Sequence, residues 1–241
     1  MKEKYLKIYT KKGFKEKNFE DRLEKHPHQT FWEVIIANFL LENNFYLKKD
    51  KKFLDFYFDI NKQYRIHIEA TAPESGKDNN YVKDVPSEEG DFEESLSPDK
   101  KILLRYTSSI EEKLKQIKKK TFSSDDKIVL AINGYRAEKD WCIPGEPPFI
   151  LRILFQSGDL YCGEKNELFF DRKYGIEKKI YKCYKPIKNN YFLDIETPIS
   201  GIIFSKISGY KKFNKNDFLY IQNPLKEDLT KLFSPYMNIY S

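Results

Sequence analysis

Apolar residues recur along the first half of the chain in patterns that predict a helix, a β-hairpin, a second helix and a buried strand. Residues 30–43 are apolar on nearly every side, which is typical of a buried helix. Residues 53–60 and 64–71 each alternate apolar with polar positions, which predicts two strands joined by a short turn. An apolar stripe over residues 105–120 predicts an amphipathic helix, and residues 127–133 predict a buried strand.

The second half of the chain has a weaker pattern. Residues 150–155 fit a helix or a strand, whereas residues 199–207 and 217–222 predict two late strands. We therefore expect an α/β fold in which helices flank a mixed central sheet. We expect a single domain, with a core at about residues 30–134 and a less regular C-terminal extension at 135–241.

Composition adds a size, a compartment and a redox setting to this picture. The chain has 241 residues, of which 40% are apolar and 16% aromatic, so it is long enough to bury a core built on rings. No apolar run approaches the roughly 20 residues of a membrane helix, and residues 1–14 lack a signal-peptide block. Three widely spaced cysteines indicate neither a disulfide framework nor a structural zinc site. We expect a cytoplasmic protein that does not contact membranes.

Charge is distributed unevenly along the chain. The net charge is +6, but residues 73–99 hold nine acidic and two basic residues, so this segment carries −7 and the rest carries +13. So basic a body favours a polyanionic partner such as nucleic acid. Residues 77–98 contain few large apolar residues and predict a long surface loop. That loop either competes with nucleic acid for the basic surface or is a solvated insertion without a role.

The register of the predicted hairpin places two acidic residues opposite each other. If residues 61–63 form the turn, Asp59 faces Arg65 and Asp55 faces Glu69. Two carboxylates about 5 Å apart at their Cβ atoms are destabilising without compensation. Mg²⁺ or Mn²⁺ would compensate, because hard cations bind carboxylate oxygens, and either ion can polarise a phosphate and activate a water. The alternatives are a different turn or two solvated acids.

This arrangement resembles the core of the PD-(D/E)XK nuclease superfamily. The resemblance rests on Asp55, on Glu69 within Ile-His-Ile-Glu-Ala-Thr, and on the order helix, strands, helix, strand over residues 30–134. It implies a restriction-endonuclease-like fold that hydrolyses nucleic acid, DNA more than RNA, with Mg²⁺ held by the two acids. Restriction, repair or anti-phage defence would fit. Leu54 stands where Pro commonly precedes the Asp, and Thr71 stands where the superfamily usually has Lys.

The residue at position 71 matters because the usual Lys positions or deprotonates the attacking water. Members of the superfamily move this Lys, and here Lys113 on the second predicted helix is the candidate. Gln116 lies on the same flank and could bind the site or a phosphate, although such a flank is often merely solvated. The alternative is a nuclease fold without catalysis that binds nucleic acid or assembles a larger complex with protein partners.

Other candidates each have a structural alternative. Glu33 is either a third carboxylate of the metal site or the end of a capping box that begins at Thr30. His67 is a base, a metal ligand or simply a packed residue. Basic side chains near the hairpin and on the second helix are candidate phosphate contacts: Lys48, Lys49, Lys51, Lys52 and Arg105. A lysine run beside a strand also discourages edge pairing.

Overall fold

The structure is a computed structural model of the chain. It describes residues 2–50, 54–60, 64–77, 81–82, 99–138, 148–155, 157–162, 168–172, 179–182, 185–188, 197–208 and 212–240. The chain divides into two compact units. The first comprises Met1–Pro73, Lys113–Tyr135 and Pro198–Ser241, and the second comprises Glu74–Glu112 and Arg136–Thr197. Neither unit is continuous in sequence, and the expectation of one domain stays a prediction.

Seven α-helices and ten strands occur in the described residues. The helices are α1 (Lys2–Lys11), α2 (Phe19–Lys25), α3 (Pro27–Glu42), α4 (Asp99–Ile117), α5 (Tyr135–Glu138), α6 (Phe149–Phe155) and α7 (Thr230–Phe233). The strands are β1 (Phe56–Ile60), β2 (Tyr64–Thr71), β3 (Lys127–Asn133), β4 (Ser157–Cys162), β5 (Leu168–Arg172), β6 (Lys179–Lys182), β7 (Lys185–Lys188), β8 (Ile199–Ser205), β9 (Phe218–Gln222) and β10 (Asn238–Tyr240). None of these helices is long and apolar enough to cross a membrane.

A six-stranded mixed sheet forms the centre of the first unit, in the spatial order β1-β2-β3-β8-β9-β10. β2, β3 and β8 run parallel, β1 is antiparallel to β2, β8 is antiparallel to β9, and β10 is parallel to β9. The predicted α/β class with a mixed sheet is therefore confirmed. In the second unit, β4 pairs with β5 and β6 pairs with β7 as two antiparallel hairpins.

The register of β1 against β2 is the predicted one. Asp59 pairs with Arg65, and Tyr57 pairs with His67. The proposed turn at 61–63 lies outside the described residues. β1 begins only at Phe56, so Asp55 precedes the strand and its backbone does not continue the ladder opposite Glu69. Because β1 begins only opposite Ile68, the last residues of β2 have no strand partner on the β1 side.

α3 begins three residues earlier than its apolar pattern indicates. Pro27 occupies the first turn, where its missing N–H costs nothing, so the helix can start before the apolar run. Thr30 therefore lies inside the helix, and its hydroxyl donates to the Arg22 carbonyl oxygen at 3.0 Å. The capping-box interpretation of Thr30 and Glu33 is wrong for this reason.

Aromatic rings on α1, α3 and the sheet build the core of the first unit. Phe39 on α3 stacks on Phe218 of β9 with ring centroids 3.8 Å apart, and Tyr9 of α1 packs on Phe56 of β1. Trp32 buries its indole and donates Nε1–H to the Ala131 carbonyl at 2.8 Å, which joins α3 to β3. Paired burial of a ring and its polar atom stabilises this contact.

The C-terminal part of the chain is more regular than predicted. The late strands are confirmed as β8 and β9, and together with β10 they complete half of the central sheet. β8 pairs directly with β3, from which it is separated by the whole second-unit segment after Tyr135. Residues 150–155 form the helix α6 rather than a strand. Most of the predicted acidic loop, including 83–98, lies outside the described residues.

Candidate functional site

A cleft of about 250 Å³ opens in the first unit beside the point where β1 begins. The residues that line it include four acidic side chains, two lysines and one amide: Glu16, Asp50, Asp55, Glu69, Lys49, Lys120 and Gln116. The structure therefore brings Asp55 and Glu69 together with Gln116 of α4 and Lys49. The cleft is therefore strongly charged.

Asp55 is held by the backbone of β2. Its Oδ2 accepts a hydrogen bond from the Ala70 N–H at 2.8 Å, where a continued β1 would have supplied a carbonyl. Gln29 of α3 likewise takes the place of a strand partner. Its Nε2 donates to the Ala70 carbonyl at 3.0 Å, and its Oε1 accepts from the Ala72 N–H at 2.7 Å. Buried backbone groups need partners, so these two side chains close the unpaired end of β2.

Glu69 and Lys113 form an ion pair within the cleft wall. Lys113 Nζ lies 2.5 Å from Glu69 Oε1, and the two side chains are only 16% and 7% exposed. Burial raises the pKa of Glu69 and the charge of Asp55 adds to this, while Lys113 opposes both. Burial disfavours the ammonium of Lys113, but Glu69 and Asp55 outweigh it and raise its pKa. Lys113 is therefore a stable cation beside two carboxylates.

Gln116 extends the same face of α4. It follows Lys113 by one helical turn, so the two side chains lie on one flank of the helix. Its Oε1 lies 3.5 Å from Lys113 Nζ, and it is exposed at the mouth of the cleft. The amide is thus free to turn its N–H₂ group towards an anion that enters.

Glu33 lies near enough to Asp55 for its charge to act on it, but Glu33 does not line the cleft. It is 2% exposed and forms an ion pair with Arg22, and Gln29 Nε2 lies 3.5 Å from the same Oε1. Burial raises its pKa to about 7, with a further increase from the charge of Asp55 and opposition from Arg22 and Lys49. Within the part of the chain that the structure describes, no three His, Cys, Asp or Glu side chains form a metal-holding group.

The raised pKa of Glu33 makes the stability of the fold depend on pH. The folded state binds this proton more tightly than the unfolded chain, whose Glu pKa is about 4.5. The free energy of unfolding is therefore expected to fall as the pH rises from about 4.5 to about 7, by up to roughly 3 kcal/mol from this group. Glu33→Gln should remove that fall, because the amide oxygen still accepts from Arg22 and no proton is exchanged.

Urea unfolding of both proteins across this pH range measures the effect. The matched control is Glu20→Gln, since Glu20 is exposed and only pairs with Lys15 on the surface. That variant should follow the wild-type pH dependence. A Glu33→Gln protein with the wild-type dependence would show that another group titrates.

Thr71 and His67 share a face of β2 with Glu69 but have different surroundings. Thr71 is buried and pairs with Ile132 of β3. Because this position holds a threonine, the end of β2 supplies no lysine of its own. His67 is fully buried, with Nε2 3.2 Å from Asp126 Oδ2 and its ring packed edge-on against Phe122. Burial lowers its pKa despite Asp126. His67 is a packed residue and does not line the cleft.

The predicted phosphate contacts fall into separate places. Lys48 pairs its backbone with Tyr57 on the open edge of β1 and its Nζ with Asp59 at 2.5 Å, so it protects that edge. Lys49 lines the cleft and lies 3.2 Å from Glu16 Oε1. Arg105 belongs to the second unit and is not among the residues that line the cleft. Lys51 and Lys52 lie outside the described residues.

Five residues in or around the cleft were missed by sequence reasoning: Glu16, Arg22, Gln29, Asp50 and Lys120. Gln29 precedes Glu33 by four residues, a spacing that puts both on one helix face and could have pointed to it. Arg22 and Glu16 offer no sequence signal, because their contacts join segments whose distance depends on how α2 packs on α3.

No protein-family model matches this chain, and no curated protein and no solved structure matches it. Function is therefore inferred from the chemistry of the cleft. That chemistry consists of the Asp55 and Glu69 carboxylates near the end of β2, the Lys113 ammonium paired with Glu69, and the Gln116 amide at the mouth of the cleft.

Proposed function

We propose that the protein is a metal-dependent nuclease with a restriction-endonuclease-like core, which hydrolyses phosphodiester bonds of nucleic acid, DNA more than RNA. The observation that carries the proposal is the position of Lys113. It reaches Glu69 from α4, in the cleft that also contains Asp55, so two acids and one lysine meet although the strand position has Thr71. These are the side-chain types that the superfamily resemblance requires. A role in restriction, repair or anti-phage defence would follow from such an activity.

The donor set of the cleft fits a hard divalent cation. Asp55 and Glu69 would hold Mg²⁺ or Mn²⁺, and Mg²⁺ commonly binds through one or two carboxylates while it keeps several waters. The raised pKa of Glu69 reports a surplus of negative charge and burial that a cation would relieve. We assign Glu33 to the surrounding charge network, since Arg22 and Gln29 both engage its Oε1. When bound, the ion would polarise a phosphate and lower the pKa of a water.

The chain's own residues supply the remaining functions. Lys113 stays charged, so it would stabilise negative charge that develops on the phosphate rather than act as a base. Gln116 at the mouth would bind a non-bridging oxygen through its amide N–H₂. Thr71 is uncharged and buried, so it would at most orient a water from its hydroxyl.

The second candidate function is a nuclease fold without catalysis that binds nucleic acid within a larger assembly. One observation favours it: Lys113 already neutralises Glu69, so the cleft is compensated without a metal ion. In that case Lys113 serves the fold and the cleft binds nothing that reacts.

Incubation of the purified full chain with plasmid, linear duplex, single-stranded DNA and RNA separates these two functions. Each substrate is tested with Mg²⁺, with Mn²⁺ and with EDTA, and products are resolved on gels. The nuclease proposal expects cleavage of DNA with either metal and none with EDTA, because the phosphate and water must be activated by the ion. Inactivity on every substrate, with binding retained in a mobility-shift assay, would contradict it and support the second candidate.

A further inference from the structure

A second pocket, of about 560 Å³, lies next to the carboxylate cleft in the first unit. It is lined by the turn after α1, the turn after α3 and the segment that leads towards β1, and the lining includes Lys12, Phe14, Asn44, Tyr46, Lys48 and Lys49. Lys49 lines both the pocket and the cleft, so the two are neighbours at this residue.

Left-handed residues at the ends of α1 and α3 shape this pocket. Gly13 has φ 75° and Asn44 has φ 64°, which are the conformations that close a helix with a sharp reversal. The Phe14 N–H donates to the Tyr9 carbonyl after the first helix, and the Phe45 N–H donates to the Leu40 carbonyl after the second. Each reversal buries a phenylalanine, and the second one turns the next residue, Tyr46, out to solvent.

Tyr46 is exposed to an extent that its own fold does not explain. Its side chain is 81% exposed, more than any other large apolar residue of the described chain. The neighbouring Phe45 and Leu47 are buried at 8% and 7%, so the backbone here is well anchored while the ring stands in water. An exposed ring between two buried neighbours is a surface on which a flat apolar group can stack.

The charge of the pocket favours an anionic ligand. Lys12, Lys48 and Lys49 line it, and none of the described lining residues is acidic, in contrast to the cleft beside it. Lys48 pairs with Asp59 and Lys49 with Glu16, so the excess positive charge lies on Lys12, for which the described residues show no acidic partner. The carboxyl ends of α1 and α3 border the pocket and oppose an anion there, although their last carbonyls are partly satisfied by the bonds to Phe14 and Phe45. Phosphates are therefore expected at the lysine rim and an uncharged base over the ring.

We propose that this pocket binds an unpaired stretch of a nucleic-acid strand whose adjoining phosphate enters the carboxylate cleft. A base stacks on Tyr46, Lys12 binds a backbone phosphate, and Lys49 lies where the strand passes from the pocket to the cleft. The preference for unpaired nucleic acid follows from the ring, since a base can lie on Tyr46 only when it is out of a duplex stack. The inference deepens the proposed function and rests on it for the destination of the strand.

Fluorescence anisotropy of the full chain with labelled oligo(dT) of about 20 nucleotides and with a duplex of the same length tests the inference. EDTA is present throughout, so binding is measured without cleavage. Tyr46→Ala should weaken oligo(dT) binding about tenfold and leave duplex binding almost unchanged, while Tyr46→Phe keeps the ring and the affinity. Lys12→Ala should make the negative slope of log association constant against log salt concentration shallower by about 0.7 for the single strand.

The matched controls are Tyr135→Ala, an exposed tyrosine that does not line the pocket, and Lys226→Ala, an exposed lysine on the loop after β9. Both should bind as the wild type does. Wild-type affinity in Tyr46→Ala, an equal loss on both substrates, or no oligo(dT) binding by the wild type would overturn the inference. Tyr46-dependent binding without any metal-dependent cleavage would instead uphold the pocket and refute the nuclease function.

Discussion

Asp55→Asn and Glu69→Gln are each expected to reduce metal-dependent cleavage by about 10²- to 10³-fold or more. Each substitution replaces one of two carboxylates that would hold the ion, while the shape of the cleft is kept. The carboxamide at 55 still offers an oxygen to the Ala70 N–H, and the one at 69 still accepts from Lys113. The cleavage rate should therefore fall strongly while the melting temperature changes little. Initial rates at saturating Mg²⁺, with a melting curve for each protein, measure both.

The control for these substitutions is Asp59→Asn. Asp59 lies on the same face of the hairpin, but it is 36% exposed and pairs with Lys48 and Arg65 at the sheet edge. The Asp59→Asn protein should cut nucleic acid at nearly the wild-type rate. Asp55→Asn or Glu69→Gln with activity within a few-fold of wild type would show that the cleft does not hold the catalytic ion.

Lys113→Met is expected to slow cleavage by about 10²-fold and also to destabilise the protein by about 3 kcal/mol near neutral pH. The rate falls because a buried cation beside the reacting phosphate is lost. The stability falls because Glu69 and Asp55 then repel each other without compensation in a buried place. Rates and urea unfolding curves of the same preparation measure the two effects.

The pH dependence of this loss identifies its cause. Without Lys113, the pKa of Glu69 in the folded state rises further above its value in the unfolded chain, near 4.5. Folding then retains a proton that the unfolded state has released, so the stability difference from wild type should grow as the pH rises above about 4.5. Below that pH, Glu69 is protonated in both states and the difference should nearly vanish.

Lys115→Met is the matched control, since Lys115 is exposed on the same helix two residues away and so faces another direction. It should change neither the rate nor the pH dependence. A Lys113→Met protein that binds nucleic acid more weakly but cuts at the wild-type rate at saturation would make Lys113 a phosphate contact.

The hairpin shows how far local pattern reaches. Alternating apolar residues in two adjacent segments predicted β1, β2 and their register, because a shift by one residue would expose one apolar face. The same alternation placed Asp55 and Glu69 on one side of the hairpin. The position of Lys113 and Gln116 on one flank of an amphipathic helix also followed from their local spacing.

The contacts that complete the cleft depend on packing between distant segments. Gln29 binds the end of β2 only because β1 begins as late as Phe56 and leaves the Ala70 and Ala72 backbone groups open. The pairing of Glu33 with Arg22 requires α2 to lie against α3, and no local pattern indicates that orientation. The capping box that Thr30 and Glu33 suggested was wrong because α3 begins at Pro27, which places Thr30 inside the helix.

By itself, the sequence determined α3, α4, the strands β1, β2, β3, β8 and β9, the hairpin register and a pair of acids, since these depend on side-chain periodicity between near neighbours. Only the tertiary structure decided that β8 pairs with β3, that Lys113 reaches Glu69, and that Tyr46 stands exposed beside the cleft. Each of these depends on chain reversals or on pairing across long sequence separations. Their energies come from burial and backbone pairing that exist only once the sheet is assembled.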